Sequence, residues 1–181
     1  MRIVAGSARG RSLQAPKGLS TRPTTDRVKE AMFSIVQFEL EGRCVLDLFA
    51  GSGQLGLEAI SRGAMCATFV DAGKDAIGVI RENIRRCGFA EKCHVVQSDY
   101  KSFLQTTRET YDMIILDPPY GENFLENALK LISEIDILRV GGIIICEKPA
   151  EKVMDTQIPG LTWQKEYRYG TSSLVLYRKG T

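Results

Sequence analysis

Residues 45–56 read Val45-Leu46-Asp47-Leu48-Phe49-Ala50-Gly51-Ser52-Gly53-Gln54-Leu55-Gly56, an apolar run that breaks into three glycines. A short apolar stretch bounded by turn formers reads as a buried strand, and Gly51, Gly53 and Gly56 match the spacing G-x-G-x-x-G that joins a strand to a helix. Asp71 ends a second apolar run 20 residues after Gly51. That is the position from which an acid accepts hydrogen bonds from ribose hydroxyls in nucleotide-binding α/β folds. The stretch therefore predicts an adenosine-type ligand at the carboxyl end of a strand.

Outward from this loop the chain alternates regularly. Strand-like runs at 44–49, 66–71, 93–97, 112–117 and 142–146 are separated by helical stretches near 54–62, 74–87, 100–107 and 122–134, with Gly63 and Gly88 where helix C-caps are wanted. This rhythm predicts a doubly wound, mostly parallel sheet covered on both faces. After Pro149 the pattern changes: Leu161–Tyr169 and Ser172–Tyr177 flank a turn at Gly170 with no helix between them, so they should pair antiparallel.

The fourth strand ends in Asp117-Pro118-Pro119-Tyr120. Asp117 can accept hydrogen bonds, Pro118 offers a carbonyl without an N–H, and Tyr120 offers a ring face on which a planar group can stack. The three together suit an exocyclic amino group of a nucleobase. The bland alternative is a turn that stops a strand.

Asp47 discriminates among adenosine-type ligands. An acid just before the glycine loop repels a pyrophosphate but welcomes S-adenosylmethionine, which carries a sulfonium and an ammonium and no phosphate. Asp99, after the third strand, offers an acceptor for the adenine amino group. Asp47 and the lack of a catalytic His, Tyr or Lys constellation disfavour a nicotinamide-dependent oxidoreductase.

A chain of 181 residues with 44% hydrophobic content predicts one main domain with a small appendage. No run reaches the roughly 18 apolar residues of a membrane span, and the N-terminus lacks a secretory core, so a cytosolic, membrane-free protein is expected. With no long exposed apolar helix face, a monomer is expected. The five cysteines (Cys44, Cys66, Cys87, Cys93, Cys146) include no C-x-x-C pair and read as reduced core residues. Cys93 beside His94, the sole histidine, finds no further ligands nearby, and no metal site is expected.

Net charge of +2 hides an asymmetry. Residues 1–29 carry seven basic side chains against one acid, leaving 17 of the 24 basic residues and 21 of the 22 acids elsewhere. Arg9, Arg11, Arg22 and Arg27 of this segment suit a polyanionic partner; the alternative is a solvated charge run. Gly6, Gly10, Pro16, Gly18 and Pro23 indicate a β-hairpin and loop over residues 1–25, a basic arm packed on the domain of residues 26–181. From Asp26, the stripe Val28, Ala31, Met32, Ile35 and Val36 predicts an amphipathic helix capped by Thr24 or Thr25.

Asp47-Leu48-Phe49-Ala50-Gly51-Ser52-Gly53 with Gly56 resembles the cofactor loop of class I S-adenosylmethionine-dependent methyltransferases. Asp117-Pro118-Pro119-Tyr120 looks like the motif of those that methylate exocyclic amines of adenine, cytosine or guanine. Residues 2–11 and 22–33, with Tyr169-Gly170-Thr171, are similar to the bacterial RsmD-like family of 16S ribosomal RNA guanine-N2 methyltransferases. The resemblance implies a seven-stranded Rossmann-like sheet and S-adenosylmethionine bound through Asp47, Phe49, Gly51, Gly53, Asp71 and Asp99. It implies chemistry at Asp117, Pro118 and Tyr120, and a substrate of guanine 966 of 16S ribosomal RNA in an assembling small subunit. Asp71 departs from the family's common Glu by one methylene. Two other readings compete: a DNA adenine-N6 or cytosine-N4 methyltransferase, for which 181 residues leave no target-recognition domain, and a non-catalytic RNA-binding assembly factor.

Overall fold

The computed structural model describes residues 1–18 and 25–180. Helix α1 (Asp26–Ile35) is followed by strand β1 (Cys44–Asp47), α2 (Gln54–Ser61), β2 (Cys66–Asp71), α3 (Lys74–Cys87) and β3 (Cys93–Gln97). Then come α4 (Tyr100–Thr106), β4 (Tyr111–Leu116), α5 (Phe124–Ile135), β5 (Leu138–Pro149), β6 (Gln157–Ile158), β7 (Leu161–Tyr169) and β8 (Ser172–Lys179). The sheet order is β3-β2-β1-β4-β5-β8-β7-β6. The first five strands run parallel, and β8, β7 and β6 add antiparallel pairings at the far side.

This is the doubly wound sheet expected, with eight strands among the described residues instead of seven. The extra strand, β6, pairs only Gln157 with Thr162 and Ile158 with Leu161, too short a run for alternation to register in sequence. β5 begins at Leu138, four residues before its expected start, because Gly141 and Gly142 hide a strand that resumes across an irregularity between Tyr111 and Met113 of β4. β1 lies between β2 and β4, so the order reverses there, and the crevice outside the carboxyl ends of β1 and β4 is where such sheets take ligands.

One buried cluster joins Met32, Phe33, Leu57, Phe69 and Ile80 to Ile3, Ala8 and Leu13 of the arm; the other joins Leu46, Leu116, Leu129, Ile144 and Tyr177. β4 is buried at every residue, as a central parallel strand must be. Gly56 is fixed by packing: a Cβ there would lie 2.4 Å from the Phe69 ring.

The arm makes one antiparallel bridge, Arg2 to Ser12, with Ile3 N–H donating to the Arg11 carbonyl at 2.9 Å. Arg22, Pro23 and Thr24 lie outside the described residues. Thr25 caps α1, its Oγ1 accepting from Val28 N–H at 3.3 Å. Val28, Met32 and Val36 of the expected stripe are buried, as are Phe33 and Lys29.

The cysteines correct the sequence reading. Cys44 and Cys66, register partners on β1 and β2 with Cα atoms 4.8 Å apart, form a disulfide, while Cys87, Cys93 and Cys146 are free thiols. A cross-strand pair separated by a helix leaves no spacing signal in sequence. Among the described residues no helix is long and apolar enough to cross a membrane.

Candidate active site

The strands deliver acids to one rim. Asp47 is the last residue of β1 and is 1% exposed; its Oδ2 accepts from the Gly56 N–H at 3.0 Å, while Oδ1 is buried with no hydrogen-bond partner among the described residues. Burial pushes its carboxyl up to about 7; the Gly56 hydrogen bond opposes the shift and the Asp71 charge adds to it. A buried acceptor lacking a donor is costly unless a ligand completes it, and a cation suits it best.

Asp71, at the end of β2, spans two turns. Its Oδ2 accepts from the Gly51 N–H at 2.9 Å and its Oδ1 from the Gly73 N–H at 2.8 Å. Gly51 and Gly53 adopt φ of +57° and +79°, the left-handed region that glycine enters without strain. Phe49 packs against Tyr100 (ring centroids 5.2 Å apart) and Phe124 (5.9 Å), which opens α5, so the second residue after β1 ties α4 and α5 to the glycine loop. Asp99 caps α4, accepting from the Ser102 N–H at 3.0 Å, and hydrogen bonds from Ser102 hold its carboxyl below the ordinary range.

Asp117 directly follows β4 and is partly buried, with Pro118 buried and Tyr120 54% exposed. The Tyr120 hydroxyl lies 3.4 Å from both Glu147 Oε1, to which it donates, and Ser172 Oγ. Partial burial raises its phenol pKa; the Ser172 hydrogen bond opposes this, and the charges of Glu147 and Asp117 reinforce it. Pro118, Pro119, Tyr120, Glu147, Pro149 and Lys152 line one cleft. Asp47, Gly51, Gly53 and Asp71 thus stand at the crevice beside β1, and Pro118 and Tyr120 at a cleft beyond β4.

The basic arm is anchored by residues that sequence reasoning missed. Glu58 of α2, fully buried, accepts from the N–H groups of Val4 and Ala5, each at 2.9 Å, and pairs with Arg62 at 2.9 Å. Buried Lys29 donates to the Arg2 carbonyl at 2.5 Å and to Gln54 Oε1 at 3.3 Å, and lies 3.7 Å from Glu58; burial lowers its pKa against the pull of Glu58. Asn83 of α3 clasps Gln14 in both directions, at 2.8 and 2.9 Å, and donates to the Ser52 carbonyl at 2.9 Å. Arg9, Arg11 and Arg27 are exposed. Glu147 was missed although it carried a signal, being an acid at the end of an apolar run, as Asp47 and Asp117 are. Lys29, Glu58 and Asn83 carried none, because polar residues on a helix read as its solvated side.

The chain matches the family described as Conserved hypothetical protein 95 over residues 1–178. It is 39% identical over 182 residues to the candidate rRNA methyltransferase YlbH of Bacillus subtilis (strain 168), with 99% of each chain covered. With the ribosomal RNA small subunit methyltransferase D of Escherichia coli (strain K12) it shares 32% identity over 180 residues, 99% of this chain and 90% of that one. The solved structure of yhhF from Escherichia coli superposes with a TM-score of 0.89 at 32% identity, over 99% of this chain and 98% of that one.

Proposed function

The chain belongs to the RsmD-like family (Conserved hypothetical protein 95), and we propose that it methylates the exocyclic N2 of a guanine in 16S ribosomal RNA with S-adenosylmethionine as donor. The target that resemblance implies is guanine 966, reached in a small-subunit particle during assembly, by a monomer working in the cytoplasm. The observation that carries this reading is the adjacency of two strand ends in one parallel sheet: β1, closing on buried Asp47, and β4, leading into Asp117-Pro118-Pro119-Tyr120.

The residues fit S-adenosylmethionine. The partnerless Oδ1 of Asp47 suits a cationic group, and the glycine loop leaves backbone open beside it. Asp71 has acceptor capacity beyond its two loop hydrogen bonds, since an ionised carboxylate offers about four lone-pair sites. When bound, this cofactor supplies an electrophilic methyl on a sulfonium.

The chain's own work concerns the amine. An aromatic amine delocalises its lone pair into the ring, and hydrogen bonds to the Asp117 carboxylate and the Pro118 carbonyl favour a pyramidal nitrogen and stabilise the positive charge that grows as it attacks. Stacking on Tyr120 aligns the nitrogen with the methyl, and positioning of this kind lowers barriers by up to about 7–11 kcal/mol in well-oriented systems. The proton then leaves to Asp117 or to water. Arg9, Arg11, Arg22 and Arg27 contact phosphates and offset the few kcal/mol needed to unstack the base.

The test is transfer of labelled methyl from S-adenosylmethionine to immature small-subunit particles, with mass spectrometry locating the modified nucleotide. A methylated guanine N2 supports the reading; transfer only to duplex DNA, or none to any RNA, overturns it.

A further inference from the structure

Asp117 and the Pro118 carbonyl can hold the amino group of guanine, adenine or cytosine alike, so they do not choose among the three bases. The choice lies in the neighbouring ring nitrogen. On guanine the atom beside the amine is N1–H, a donor; on adenine it is N1 and on cytosine N3, both bare acceptors. A site that takes guanine needs a second acceptor next to the first.

Resting on the function proposed above, we infer that Glu147 is this second acceptor and determines specificity for guanine by receiving the N1–H of the target base. Leu116 and Cys146 are register partners on β4 and β5, and the residues that follow them are Asp117 and Glu147. Neighbouring strands lie about 4.8 Å apart, so Asp117, just past β4, and Glu147, still within β5, stand side by side. Glu147 is 6% exposed and forms part of the cleft wall that Pro118 and Tyr120 also line. Both carboxylates act on the Tyr120 phenol, and Tyr120 donates to Glu147 Oε1 at 3.4 Å. A carboxylate has about four lone-pair sites, so it can accept from the phenol and from a base edge together.

Lys152 of the same wall pairs with Glu126 at 2.9 Å, on α5. Glu147 keeps its carboxylate in this wall beside Tyr120. Adenine or cytosine in the same pose would set a lone pair against that charge, and a site that leaves buried polar groups unpaired rejects the analogue strongly.

The discriminating probe is 2-aminopurine, which keeps the N2 amine of guanine but has a bare N1. Small-subunit particles are reconstituted with 16S ribosomal RNA carrying guanine or 2-aminopurine at the methylated nucleotide, and single-turnover transfer is measured with full-length wild type, Glu147→Gln and Tyr120→Phe. Wild type should favour guanine by about 10²-fold, a ratio in the range of one well-made base-edge contact. Glu147→Gln should lower that ratio at least about tenfold, because its amide can donate to the bare N1, and Tyr120→Phe should leave the ratio unchanged. Wild type that does not discriminate overturns the inference whatever the variants do. A Glu147→Gln enzyme that slows on both bases with the ratio intact also overturns it, leaving Glu147 as a support for Tyr120. If wild type transfers methyl to neither RNA, the proposed function falls and the inference with it.

Discussion

Asp71 holds Gly51: from the end of β2 its Oδ2 accepts the Gly51 N–H at 2.9 Å, while its other oxygen accepts from Gly73 at 2.8 Å. The acid is thus a clamp on the glycine loop before any ligand arrives. Asp71→Ala should weaken S-adenosylmethionine binding about 10- to 100-fold, the range of a missing charge-assisted hydrogen bond, and should speed amide exchange at Gly51. Calorimetric affinity together with hydrogen exchange checks this. Weakened affinity with unchanged exchange would leave only a direct contact.

Asp47 should make cofactor binding depend on pH. With its carboxyl raised to about 7 by burial, the site is largely neutral below that value and attracts a cation poorly. Affinity should rise about tenfold per unit up to near pH 7 and level off above it. Stability without ligand should run the other way. In the window between the ordinary carboxylate value and about 7 the folded state binds more protons than the unfolded one, so stability falls as pH rises. Asp47→Asn should flatten both profiles, raise the melting temperature at pH 8 and abolish tight binding.

Asp117→Ala should lower methyl transfer by at least about 10³-fold with cofactor affinity kept within a few-fold, since the role proposed for it is to receive the amine of the base. Tyr120→Phe should keep most of the rate and Tyr120→Ala should not, because the ring face is the contact proposed. Single-turnover rates and equilibrium binding separate these outcomes.

Arg9 and Arg11 stand exposed on the docked arm. Replacing both by Ala should weaken RNA binding and lower the slope of log affinity against log salt by roughly 0.7–0.9 for each phosphate no longer neutralised. An unchanged slope would leave the arm a structural element.

Glu58→Ala should destabilise the fold by about 3–5 kcal/mol, because it takes from buried Lys29 its buried counter-charge, leaving only half-exposed Asp26 at 3.9 Å, and strips Val4 and Ala5 of an acceptor. Thermal unfolding reads this directly. Glu58→Gln should recover part of the deficit by restoring an acceptor without the charge.

The sheet was legible because β4 and β2 are largely apolar runs and the glycine loop marks the strand-to-helix turn. Asp47 and Asp117 were legible as acids at strand ends. The pairing of Cys44 with Cys66 was not, since strand order is a long-range property that local pattern does not encode. Nor were Lys29, Glu58 and Asn83, whose burial depends on an arm that covers helix faces a sequence reading assigns to water. β6 escaped because two residues carry no period.

The clasp between Gln14 and Asn83 also bears on how the protein is made. The partners are 69 residues apart, and the earlier one leaves the ribosome first. At about 5–20 residues per second, Gln14 waits roughly 3–14 s for the residue that clasps it. Through that interval Ile3, Ala8 and Leu13 have α1 and then α2 to pack on, but not the clasp that fastens the arm to α3. The arm is therefore made before every element it docks on, and it is the last of them to be fastened on all sides.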